Sequence, residues 1–170
     1  MPNGSWYFLY HHDPKDKWSL PIGFAEELEK QNIDLKTHNI FNLNKFKLPS
    51  REEIIANKIS VLLIFFCGYS NLLNDELIKF KKVNPEVIII NELADEPQTR
   101  RLNYVRAALS DICLSPDYES VLYWKSRNFN CHLFTHWADS KVFKNCKKER
   151  PLFLATTMGR RKYSLFLKLI

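Results

Sequence analysis

Glycine is scarce in this chain. Only four glycines occur in 170 residues, and none stands at the Gly-x-Gly-x-x-Gly spacing that cradles a dinucleotide pyrophosphate at a strand-to-helix turn. Support for a redox enzyme of that kind is therefore missing. Paired cysteines are missing too: Cys67, Cys113, Cys131 and Cys146 have neither disulfide-type nor metal-type spacing. They read as reduced, small apolar residues of a cytoplasmic protein. His11 and His12 are adjacent and the other three histidines are isolated, so no metal site is expected, and no cofactor. The aromatic stretch 6–10 is too short for a signal peptide or a membrane span and runs into polar residues. Internal repeats and low-complexity segments are absent.

What is present is an ordinary globular balance, 45% hydrophobic, with a net charge of +6. The length suits one well-buried domain plus a tail. The positive balance suits an anionic partner, such as a phosphorylated sugar, a nucleic acid or a membrane surface. Its densest clusters are Lys144, Lys147, Lys148 and Arg150, then Arg160, Arg161 and Lys162. Only Phe143 and Tyr163 interleave aromatics with them, which argues against nucleic acid.

The organising stretch is 86–115. Val87-Ile88-Ile89-Ile90 is an unbroken aliphatic run, the pattern of a central parallel strand buried on both faces. Asn91-Glu92-Leu93-Ala94-Asp95-Glu96-Pro97 follows as an expected loop, with three carboxylates where an open α/β sheet presents its ligand crevice. A helix over 98–109 and a strand over 111–115 come next.

The rest of the chain repeats this alternation. Residues 5–10 predict a strand, ended by His11-His12-Asp13-Pro14, and 20–31 a helix with Ser19 as N-cap. A strand is expected over 35–43, and Ser50-Arg51-Glu52-Glu53 matches a capping box opening a helix to about residue 58. Then come a strand over 59–66, the exit loop Cys67-Gly68-Tyr69-Ser70-Asn71, a helix over 74–83, a helix over 117–127 behind Pro116, and a strand over 129–135. Strict alternation of this kind implies an α/β, Rossmann-like open parallel sheet with helices on both faces. The expected organisation is a domain over 1–138, a linker over 139–150, and a strand and helix over 151–170. The last segment either opens a second domain or packs back on the first. Its Leu165, Phe166, Leu167, Leu169 and Ile170 need cover, from the sheet or from a second copy of the chain in a homodimer.

Several features together resemble the N-terminal half of GT-B-type glycosyltransferases, of the CgeB-like, spore-maturation type. These are the loop with Asp95-Glu96-Pro97, the helix with Arg100 and Arg101, Asp111-Ile112-Cys113-Leu114-Ser115, and the helix with Tyr118, Tyr123 and Trp124. His132-Leu133-Phe134-Thr135-His136-Trp137-Ala138-Asp139 is similar to the family phrase that ends in Ala-Asp, and 153–161 to the start of the nucleotide-sugar domain. The resemblance implies transfer of a sugar from a nucleotide-sugar donor to a hydroxyl acceptor such as a glycan. It also implies that most of the donor domain is missing from a chain of this length.

Such chemistry needs a base for the acceptor hydroxyl and positive charge or helix N-termini for the leaving diphosphate. The candidate catalytic residues are His12, Asp13 and Asp95. Acceptor contacts fall to His11, Gly68, Tyr69, Glu92, Glu96 and Arg100, and donor phosphate contacts to Thr157, Gly159 and Arg160. Each has a plain structural alternative. His12-Asp13-Pro14 also reads as a turn, Asp95 as the N-cap of the following helix, Gly68-Tyr69-Ser70 as a turn with a packed tyrosine, and Arg100 as a solvated surface residue. A non-catalytic module that binds a small anionic ligand or a protein partner through the same loops is the competing reading.

Overall fold

The computed structural model describes residues 4–16, 19–41, 47–65, 67, 71–94 and 96–135. Gly68, Tyr69, Asp95, Thr157, Gly159 and Arg160 lie outside the described residues, as do the expected linker over 139–150 and the segment over 151–170.

Six strands and five helices alternate along the described chain. They are β1 (Ser5–Tyr10), α1 (Leu20–Lys30), β2 (Leu35–Asn39), α2 (Arg51–Ala56), β3 (Ile59–Phe65), α3 (Asn71–Val83), β4 (Ile88–Glu92), α4 (Arg100–Leu109), β5 (Ile112–Ser115), α5 (Tyr118–Lys125) and β6 (Cys131–Leu133). The strands form one sheet in the order β2-β1-β3-β4-β5-β6, and every neighbouring pair is parallel. This is a Rossmann-like open sheet with helices on both faces.

The aliphatic run around Ile89 does form an inner strand, flanked by β3 and β5. Right-handed crossovers determine which helix covers which face. The single step outward from β1 to β2 puts α1 on one face, where Ala25, Phe24 and Leu28 pack on Phe8, Leu63 and Phe65. Every later crossover runs the other way, so α2 to α5 fall on the opposite face. There Ile54, Leu73, Leu77 and Phe80 cover Leu9, Leu62, Ile64 and Ile89, while Ala107, Val121 and Trp124 cover Cys113 and Cys131.

Local signals set the element ends. The Ser50 capping box closes on both sides: Ser50 Oγ accepts from the Glu53 amide at 3.3 Å, and Glu53 Oε2 accepts from the Ser50 amide at 2.7 Å. Lys58, at φ 52°, turns the chain straight from α2 into β3. Asp117 caps α5 by accepting from the Ser120 amide at 2.7 Å. Pro116 consequently stands before the cap and not in the first turn.

Two boundaries differ in ways that matter for function. The helix expected from residue 98 starts at Arg100 with Thr99 at its N-cap, where Asp95 had been the candidate. Asn91 and Glu92, expected in a loop, belong to β4 and are fully buried.

Candidate functional site

The direction of winding reverses between β1 and β3, which lie side by side while their crossovers leave in opposite directions. In an open α/β sheet the loops at the carboxyl ends of two such strands part and leave a crevice. The carboxyl end of β1 carries His11, His12 and Asp13, and that of β3 leads to Cys67.

Asn39, the last residue of β2, shapes the β1 end. Its Oδ1 accepts from the His12 amide at 3.0 Å and from the Phe41 amide at 3.1 Å, and its Nδ2 donates to the His12 carbonyl at 2.9 Å. One side chain thus fixes the backbone of His12 from both sides. The His12 ring is treated differently, since its Nδ1 is buried and has no hydrogen-bond partner among the described residues. His11 instead lays its ring on Phe41, with centroids 5.7 Å apart. Asp13 does not turn toward the histidine: its Oδ1 accepts from the Lys15 amide at 2.9 Å, an Asx-type turn. The geometry gives a turn at Asp13, with the buried His12 Nδ1 left without a partner among the described residues.

The floor at the β3 end is polar but fully tied. Cys67 is buried, with Sγ 3.4 Å from the Phe65 carbonyl and 3.7 Å from that of Leu9. Burial pushes its thiol up to about 12; the Arg106 guanidinium opposes that shift and Glu92 reinforces it. A thiol so raised stays protonated and is no nucleophile at neutral pH. Arg106 reaches in from α4 with only 1% of its surface exposed. It donates from Nη1 to the Cys67 carbonyl and from Nε to Asn74 Oδ1 of α3 at 3.3 Å. A buried guanidinium that donates to a backbone carbonyl and a side-chain amide oxygen ties α3 and α4 to the end of β3.

The third end, that of β4, holds the carboxylates that had marked it as a site. Glu92 lies inside the strand, fully buried. The Glu96 side chain is 0% exposed; its Oε1 accepts from Asn103 Nδ2 at 2.8 Å and its Oε2 from Arg100 Nε at 3.4 Å. Arg100 also donates to Ser120 Oγ at 2.8 Å and lies 4.2 Å from the Tyr123 ring centroid. Glu96 and Arg100 therefore join β4, α4 and α5 as a structural network. Asn103 and Thr99 finish it by donating to the Ala94 carbonyl at 3.1 and 2.6 Å.

Three working residues escaped the sequence reading. Asn39 fell in the middle of the strand expected over 35–43 and was not singled out. Arg106 and Asn74 were not singled out within the helices expected over 98–109 and 74–83, although Arg106 falls on the same helix stripe as the buried Asn103 and Ala107. Among the described residues no group of three or more histidines, cysteines and carboxylates could hold a metal ion. No helix among them is long and apolar enough to cross a membrane.

The fold is that of the doubly wound, parallel-sheet α/β class. No protein-family model matches the chain, and searches of curated proteins and of solved structures return no match.

Proposed function

We propose that the chain is the acceptor-side domain of a two-domain glycosyltransferase of the GT-B type, and that His12 is its proton acceptor. One observation carries this reading: a buried imidazole nitrogen without a partner among the described residues, on a backbone clamped at the winding reversal of a parallel sheet. A neutral imidazole with a free nitrogen can take a proton from a hydroxyl near neutral pH. In the inverting form of the reaction, the acceptor oxygen bonds to the anomeric carbon of a nucleotide-sugar donor. The bond from that carbon to the diphosphate breaks with its electron pair, and the hydroxyl proton goes to His12. Asp13 holds the turn that follows, and His11 with Phe41 forms one wall. The donor diphosphate falls to Thr157, Gly159 and Arg160 and to a partner half that supplies the rest of its cradle.

The burial of Glu92 and Glu96 favours a second reading, a non-catalytic module for a small anionic ligand, because it takes two carboxylates out of the crevice. Ligand-observed NMR of the 170-residue chain against nucleotide sugars and acceptor glycans separates the two. Acceptor binding that disappears in His12→Ala or Asp95→Ala, with weak nucleotide-sugar binding, supports the acceptor domain. Tight nucleotide binding indifferent to both changes, or no glycan binding at all, selects the module.

A further inference from the structure

A second cavity lies away from the crevice. The helix α2 has six residues, so at about 1.5 Å per residue it is some 9 Å long and cannot span the face of the edge strand β2. The gap between them is a cleft of about 420 Å³. Lys36 and His38, two residues apart on β2, line the same cleft with Lys47 and with Tyr7 of the neighbouring β1. The rings of Tyr7 and His38 stack at 6.1 Å with 29° between their planes. Leu48, Pro49 and Ile59 supply its apolar lining.

The charges of this cleft do not cancel. Neither Lys36 nor Lys47 forms an ion pair among the described residues. The one carboxylate in the lining, Glu53, is held by the Ser50 amide in the capping box. Burial, and secondarily that carboxylate, raise the Tyr7 phenol above its ordinary value, so the phenol remains an O–H donor at neutral pH. Two lysines, an imidazole and a phenol beside an apolar lining suit a compact anion attached to an apolar or ring-shaped body. No arginine lines the cleft, so an anion there is held without a planar two-pronged grip, by lysines acting as point charges, a mode in which lysines bind phosphate.

We infer that the cleft between β2 and α2 is a binding site for a small phosphate monoester, separate from the crevice at the ends of β1 and β3. The phosphate sits between Lys36 and Lys47 with Tyr7 and His38 as donors, and the organic part lies on Leu48 and Ile59. This site does not depend on the glycosyltransferase reading, because it shares no residue with the crevice.

The test uses phenyl phosphate as probe and the full chain as receptor, with the ring protons of Tyr7 and His38 followed by NMR. Phenol and benzoate serve as controls for the apolar part and for charge alone. Saturable shifts with phenyl phosphate, at least about tenfold weaker binding of both controls, and a similar or larger loss in the Lys36→Gln/Lys47→Gln variant are expected. Both lysines are at least partly exposed and unpaired, so the variant keeps its fold, which circular dichroism verifies. Raising the salt from 0.05 to about 0.5 M should weaken phosphate binding in the unmodified chain as well, giving a measurement independent of mutation. Equal binding of benzoate, an unchanged double variant, salt-insensitive binding or shifts that never saturate would each overturn the site.

Discussion

The carboxyl ends of β1 and β4 are both rich in ionisable groups, yet they use them in opposite ways. At β4, Glu96 is divided between Asn103 and Arg100, and the neighbouring Arg106 is spent on Cys67 and Asn74. At β1, Asn39 satisfies the His12 backbone, and the buried ring nitrogen has no partner among the described residues. Crowding of charge in the sequence therefore does not mark a site. What separates Glu96 and Arg106 from the His12 ring is the hydrogen-bond account of each ionisable group, since a group whose bonding is complete has nothing left for a ligand; the neutral amide of Asn91 in β4, buried and without a partner among the described residues, stands outside this contrast.

The sharpest way to break the comparison is to remove the brace. Arg106→Met keeps the bulk but leaves the Cys67 carbonyl and the Asn74 side-chain oxygen without their donor, and removes the buried cation that acts on Cys67 together with Glu92. Loss of about 3–5 kcal/mol in stability is expected, read as a fall in the urea midpoint. Glu96→Ala should cost less, about 1–3 kcal/mol, because it unpairs one buried amide and one partly exposed guanidinium. If either change left the midpoint unmoved, the β4 end would not be the structural network described.

Most of the architecture was legible in the sequence because it rests on local patterns. Ile59–Phe65 and the run at Ile89 read as buried parallel strands, and the Ser50 capping box fixed the start of α2 to the residue. The end of β4 was not legible, and for a physical reason. Asn91 and Glu92 look like loop residues to any local rule, and the buried guanidinium that acts with Glu92 on Cys67 comes from α4, more than a dozen positions later. Likewise His12 could be nominated from its place after a strand, but Asn39, which clamps it, could not. The cleft lysine Lys36 and His38 alternate on one side of a strand only five residues long, too short for the pattern to stand out.

Alkaline pH probes the same floor with a gentler effect. Burial raises the thiols of Cys67 and Cys113 to about 12 and that of Cys131 to about 11, from an ordinary value of 9.0. A folded-state value above the unfolded one means that the folded chain holds the proton more tightly. The stabilisation is complete below about pH 9 and is lost as pH rises from there toward 11 to 12. The urea midpoint should thus decline progressively above pH 9. Tyr7 and Tyr10, also raised by burial, push in the same direction, so the Cys67 share is isolated by Cys67→Ala. That variant should show a shallower alkaline slope; an identical slope would mean that the thiol beside Arg106 and Glu92 is not held protonated by the fold.

The smallest stability effect belongs to the residue given the largest functional weight. Deleting the His12 ring takes away a buried nitrogen that makes no hydrogen bond among the described residues, while the two Asn39 bonds to His12 go to its backbone and survive in His12→Ala. The transfer loss of part of an imidazole is offset by relief of an unsatisfied polar atom, so stability should change by no more than about 0.5 kcal/mol. Asn39→Ala should do the reverse, unclamping the loop at a cost of about 1 kcal/mol and reducing binding through misplacement of an intact ring. Equal stability with binding abolished in the first variant, and reduced stability with binding weakened in the second, would separate the group that acts from the group that positions it. If His12→Ala instead destabilised the chain as Glu96→Ala does, the β1 end would be a second brace, and the contrast between the two strand ends would collapse.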